Sequence, residues 1–196
     1  MEGIFLLTKK IIPLLILLAG SLSCSSDTPN QMDEGSVMTP PHEELYTSAE
    51  RQDIITAAQA IIAADPVGAF ISVDSLGRPR VRSVNTSTPD STMTIWVATR
   101  PETRKMDQVR GNPNVTIYYN VDGEGSYVSI MGQAQLHEDH EYIQSNNPFS
   151  VAWTQRFFPD FPENMVLIEI QPVWMEVMGQ GISASEDTWR PQAVAF

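Results

Sequence analysis

Between residues 78 and 110 the chain carries Arg78, Arg80, Arg82, Arg100, Arg104, Lys105 and Arg110, seven of its twelve basic residues, against Asp90, Glu102 and Asp107. The whole chain has a formal net charge of −12, so this segment is a positive island in a negative field. Such a field concentrates a small anion and repels a long polyanion, which argues against nucleic acid as the partner. In "WVATRPETRK" the hydroxyls of Thr99 and Thr103 stand beside Arg104 and Lys105 where the pattern predicts a helix to begin. A helix start offers free N–H groups and a positive dipole end, and an arginine fork with a lysine point charge completes a site for a phosphate monoester. Alternation in "RVRSVNTS" puts Arg80, Arg82 and Val84 on one strand face and Val81, Ser83 and Asn85 on the other. Arg82 is thereby expected beside the end of the next strand. The competing reading is that these cations only pair with surface carboxylates.

Other chemistries find little support. His137 and His140 flank Glu138 and Asp139, a spacing that matches no common zinc pattern, and a solvated turn is expected there. His42 has no neighbours at ligand spacing. The sequence holds no Gly-x-Ser-x-Gly elbow, no phosphate loop and no Cys-x-x-Cys pair, so neither a catalytic side chain nor a metal site is assigned.

The elements that must position the cationic segment are legible. "TSAERQDIITAAQAIIAAD" predicts a helix with Thr47 or Ser48 as cap, Glu50 three residues after Thr47, Ile54, Ala57, Ala58, Ile61 and Ile62 on one face, and Pro66 as its stop. Period-two alternation predicts six strands, in "GAFISVD", "RVRSVNTS", "TMTIWVATR", "NVTIYYNV", "YVSIMGQAQLH" and "MVLIEIQPVWMEVM". Short connections at "DSLGRP", "STPDST" and "DGEGS" suit antiparallel neighbours. "PETRKMDQVRGNP" reads as a short helix from Pro101 to Gly111, and residues 139–163 as one or two helices with proline-marked ends, where "RFFPDFPE" is a packed helix end or a flap. Six antiparallel strands with peripheral helices imply a small closed or split barrel, and 196 residues with 42% hydrophobic content suffice for one such domain.

The N-terminus is of another kind. Lys9 and Lys10 precede the apolar run "IIPLLILLAGSLS", too short to span a bilayer and ending in small residues before Cys24. "SLSC" resembles a bacterial lipobox, with Ser21 where leucine is commonest. Residues 1–23 are thus expected to be a lipoprotein signal, Cys24 the lipidation site, and the chain exported and lipid-anchored to a bacterial cell-envelope membrane. Residues 24–47, rich in Ser, Asp, Glu and Pro, read as a flexible tether. The folded domain is placed at 48–181 and a C-terminal tail at 182–196.

In order, "GRPRVRSVN", "TIWVATRPETRKMDQVRGNPNVTIYY" and "SYVSIMGQAQL" resemble the pyridoxamine 5′-phosphate oxidase-like, FMN-binding split-barrel superfamily, and its general-stress-protein branch in particular. The likeness covers about residues 48–138. It implies a six-stranded antiparallel split β-barrel, a homodimer with FMN in the cleft between chains, and flavin-dependent oxidoreductase activity. By position, it implies Arg82, Ser83 and Val84 in the strand that passes the flavin, with Arg82 on the phosphate. Thr99 would stand at the strand end near the flavin ring, Thr103, Arg104 and Lys105 in the phosphate-binding run, and Tyr127 near the cofactor. The stretch "VWMEVMGQGISASEDTW" departs from the oxidase, with Met178 near the place of its tryptophan and no Arg-x-His after it, so oxidation of vitamin B6 is not expected. Non-catalytic capture of flavin, deazaflavin or haem is the alternative, as is a structural lipoprotein module. Lys9-Lys10 is not a twin-arginine signal, so an exported chain would take up its flavin outside the cytoplasm.

Overall fold

The structure, a computed structural model, describes residues 47–121 and 125–196. The expected signal segment, Cys24, His42 and the tether up to residue 46 lie outside the described residues. Helix α1 (Ser48–Ala64) begins as the sequence predicts: Glu50 N–H donates to Thr47 Oγ1 at 3.3 Å, and Thr47 N–H donates to Glu50 Oε2 at 2.8 Å. This reciprocal pair satisfies two of the N–H groups that a helix start leaves free. Its buried face is Ile54, Ile55, Ala57, Ala58, Ile61 and Ile62, and it ends before Pro66, which disfavours helical backbone in the residue ahead of it.

Among the described residues seven strands follow in one antiparallel sheet: β1 (Val67–Val73), β2 (Pro79–Asn85), β3 (Ile95–Thr99), β4 (Asn114–Val121), β5 (Ser126–His137), β6 (Val166–Met178) and β7 (Gln192–Ala195). Their order is β2-β1-β4-β5-β6-β3, with β7 also on β6. Helix α2 (Arg104–Gly111) links β3 to β4, and α3 (His140–Asn146) and α4 (Val151–Phe157) lie between β5 and β6. The ladders put Phe70, Ile117, Val128, Ile130 and Val177 into a core that α1 closes. Between Met131 and Gly132 the β5/β6 register slips; a Cβ on Gly132 would lie 2.4 Å from the carbonyl oxygen of Gln171, so glycine permits the close crossing at which the sheet bends.

Three expectations are corrected. The strands among the described residues number seven, because "QAVA" in the expected tail pairs with Trp174–Val177 of β6; four residues behind a proline carry too short a pattern to read. Strands β2 and β3 are not ladder neighbours: the bridge Thr86–Val97, with Ser87 bonded to Trp96 beside it, joins the end of β2 to β3, and β3 pairs with β6 instead. The loop between them explains it. Asp90 Oδ1 accepts from the N–H groups of Thr92 and Thr94 at 2.8 and 3.1 Å, and Met93, at φ 62°, drives its side chain into the core, turning the chain toward β6. Helix α2 starts at Arg104 rather than Pro101, which lies in a turn closed by Thr103 N–H donating to the Arg100 carbonyl at 3.3 Å. The curled sheet thus brings its outermost strands together without closing, which is a split barrel.

Helices α3 and α4 cover a second apolar cluster of Ile143, Phe158, Met165 and Leu167, with Trp96, Phe149, Trp153 and Phe161 packed against it. "RFFPDFPE" is therefore the packed helix end.

Candidate functional site

Arg82 shares the inward face of β2 with Arg80 and Val84, since its register partner is the buried Phe70. Its guanidinium lies 5.3 Å from the Phe70 ring centroid, donates from Nη1 to Ser72 Oγ at 2.7 Å and from Nη2 to Gln108 Oε1 at 2.5 Å. Ser72 Oγ also donates to Gln108 Oε1 at 2.7 Å. Opposite stands the start of α2. No side chain caps it: the Thr103 hydroxyl donates to the Arg100 carbonyl at 3.0 Å and lies 3.0 Å from Thr99 Oγ1. Lys105 Nζ donates to Thr99 Oγ1 at 2.6 Å, which holds the ammonium over the end of β3.

Between these groups is a cavity of about 700 Å³. Arg80, Arg82, Arg104 and Lys105 supply positive charge to its wall, Asp74 and Glu102 negative charge, and Thr103 and Gln108 neutral polar groups. The fold thins the positive island that the sequence shows. Arg78 and Arg80 pair with Asp74 at 3.0 and 2.7 Å, Arg110 pairs with Asp107 and Glu138, and Arg100 donates to the Phe157 carbonyl at 3.3 Å. Among the described residues no carboxylate pairs with Arg82, Arg104 or Lys105, so the competing reading of plain surface ion pairing fails for these three.

Their electrostatics agree. Desolvation, and then the charge of Arg82, pushes the Lys105 pKa below its ordinary value. Desolvation, with Arg104 and Arg80 nearby, does the same to Arg82. Desolvation works against the charge of Asp74, but N–H groups of Arg78 and Leu76 and the guanidinia of Arg80 and Arg78 outweigh it and hold the carboxyl well below the usual carboxylate range. The site holds cations whose mutual repulsion an arriving anion relieves.

Of the residues expected here, the fold gathers Arg82, Thr103, Arg104 and Lys105 around the cavity, with the buried Thr99 bonded behind Lys105. Ser83, Val84 and Tyr127 do not line it. Val84 is in the core. Ser83 pairs with Ala69 and so shares the outer sheet face with Tyr118, on which Tyr127 stacks at 5.5 Å. Desolvation, Glu176 and Tyr118 raise the Tyr127 pKa. Sequence reasoning missed Ser72 and Gln108. Gln108 stands three and four residues beyond Lys105 and Arg104, on the same helix face, and that spacing was the available signal. His137 is not the solvated turn residue expected: its ring stacks on Tyr142 at 4.3 Å and its Nε2 lies 2.8 Å from a Glu169 carboxylate oxygen, while His140 opens α3 on the surface.

The comparisons accord with the fold. Residues 54–179 match the family model described as pyridoxamine 5′-phosphate oxidase. General stress protein 26 of Bacillus subtilis (strain 168) is 29% identical over 134 residues, spanning 67% of this chain and 92% of that protein. The crystal structure of General Stress Protein 26 from Bacillus anthracis str. Sterne superposes with a TM-score of 0.55 at 23% identity, covering 75% of this chain and 98% of that one. A pyridoxamine 5′-phosphate oxidase-related, FMN-binding protein from Nostoc punctiforme PCC 73102 superposes with a TM-score of 0.50 at 15% identity, over 83% and 99% of the two chains.

Proposed function

Because the chain belongs to the pyridoxamine 5′-phosphate oxidase family, we propose that it binds FMN by its phosphate in the cavity between β2 and α2 and acts as a flavin-dependent oxidoreductase on a substrate other than pyridoxine phosphate. The observation that carries this reading is the convergence of Arg82, Arg104 and Lys105, all without carboxylate partners among the described residues, on one cavity beside the hydroxyl of Thr103. The residues fit a phosphate monoester: two guanidinium forks, one ammonium and an uncapped helix start. Bound there, a flavin supplies the hydride and electron transfer that no side chain of this site provides. Arg82 is held ready by Ser72 and Gln108, and Thr99 aims Lys105. A vitamin B6 substrate is disfavoured because after Met178 the chain turns at Gly179, Gln180 and Gly181, all at positive φ, and no Arg-x-His run follows. Haem is disfavoured too, since neither His137 nor His140 lines the cavity.

The proposal includes a homodimer. The outer sheet face, with Ile71, Val81, Tyr118, Tyr127 and Trp174 half-buried or exposed, is the surface a second copy would cover, and it would set Ser83 and Tyr127 against the ligand held between chains. It also includes export and anchoring through Cys24, with flavin acquired after export.

The test is a visible absorption spectrum of the full chain purified in mild detergent, followed by titration with FMN. A flavin band or saturable quenching of FMN fluorescence is expected. A colourless chain that leaves FMN fluorescence unchanged overturns the flavin reading.

Binding also has an expected pH profile. The anion needs Lys105 protonated, and its pKa is lowered, so FMN affinity falls with rising pH earlier than an ordinary lysine would dictate. In the same window the unfolded chain holds more protons than the folded one, so the free protein gains stability as pH rises. Lys105→Arg is expected to remove the alkaline decline of affinity, read by fluorescence titration from neutral to alkaline pH.

A further inference from the structure

Gln108 sits where two demands meet. A guanidinium carries only donors, so the Gln108 atom that faces both Arg82 and Ser72 is the carbonyl oxygen, at 2.5 and 2.7 Å. The amide nitrogen is then left over. It has no protein partner among the described residues and is not among their buried unsatisfied atoms, so it is open to solvent, on a side chain that forms part of the cavity wall. Resting on the phosphate reading above, we propose that Gln108 is a ligand-contacting residue. Its carbonyl oxygen fixes Arg82, and its amide nitrogen donates an uncharged hydrogen bond to the phosphate monoester that Arg82 and Lys105 attract. One side chain thereby couples the placement of Arg82 to direct contact with the ligand.

A mere positioning residue would act only through Arg82, and a double-mutant cycle separates the two roles. FMN affinity is measured by fluorescence titration on the full chain for wild type, Gln108→Met, Arg82→Met and the double variant, with thermal unfolding recorded for each. The expected result is a loss of roughly tenfold for Gln108→Met in the wild-type background and a further loss of at least about threefold in the Arg82→Met background. Gln108→Glu keeps the acceptor for Ser72 and Arg82, and so keeps the fold, but loses the donor; it too is expected to bind FMN weakly. Gln108→Met without effect in the Arg82→Met background overturns direct contact, and Gln108→Glu with wild-type affinity does the same. Should the wild type ignore FMN, the flavin reading falls, and the same cycle is read with inorganic phosphate by calorimetry. There, the same pattern of losses supports the contact, while a wild type that ignores phosphate, or Gln108→Met without effect in the Arg82→Met background, overturns it.

Discussion

Replacing Arg104 and Lys105 together by alanine is expected to weaken FMN binding by roughly a hundredfold or more while leaving the thermal midpoint unchanged or slightly raised. Charge-assisted hydrogen bonds contribute about 1.5–3 kcal/mol each, so losing two corresponds to a factor of about 10² to 10⁴. The fold is spared because neither cation pairs with a carboxylate among the described residues, and Thr99 keeps its contact with Thr103 at 3.0 Å. Removing the half-buried Lys105 also relieves its repulsion with Arg82. Riboflavin, which lacks the phosphate, serves as control: its affinity is expected to be the same in wild type and variant. A variant that binds FMN as tightly as wild type would sink the assignment of the phosphate site.

The second large effect is on the fold and reaches the site through it. Phe70 is fully buried at the centre of the core, and its ring also carries the Arg82 guanidinium. Phe70→Ala is expected to destabilise the protein by about 3–5 kcal/mol, the usual range for a buried phenylalanine. In a domain of this size that lowers the thermal midpoint by roughly 6–20 °C. It is also expected to weaken FMN binding below the melting temperature, because Arg82 loses the surface it lies on. Phe70→Leu refills most of the volume and is expected to recover stability more fully than affinity. If affinity recovers in step with stability, the ring has no part in placing Arg82.

Much of this molecule could be read from its sequence, and the failures have physical causes. The capping box at Thr47 and Glu50 is a local interaction between residues three apart, so sequence alone exposes it. The alternation of β2 likewise separates Arg82 from Ser83 correctly, because period two belongs to the strand itself. Strand partners are different. A run such as "TIWVATR" reports that it is a strand with one buried face, and says nothing about whether β2 or β6 lies beside it; the Asp90 turn and the buried Met93 decide that. The cationic island was visible as a count, but the count overstated the site. Asp74, in the turn between β1 and β2, claims Arg78 and Arg80 by a fold of the chain on itself, and Arg110 is claimed by Glu138 from the far end of β5. Ser72 and Gln108 went unseen because each is an ordinary polar residue until the β1/β2 register and the helix axis bring both to one guanidinium.

Thermal motion in a sheet concentrates where the fewest bonds resist it. Between β2 and β3 a single bridge, Thr86 to Val97, stands where every other neighbouring pair has a ladder. By backbone pairing that seam is the weakest junction between neighbouring strands among the described residues. One lip carries Arg82, and the other runs through Thr99 into the helix of Lys105, so the same motion alters the spacing of the cations. An anion bound as proposed, from both lips, would work as a clasp. It would add across the seam the cohesion that the backbone leaves out, and the chain without it would be the looser molecule.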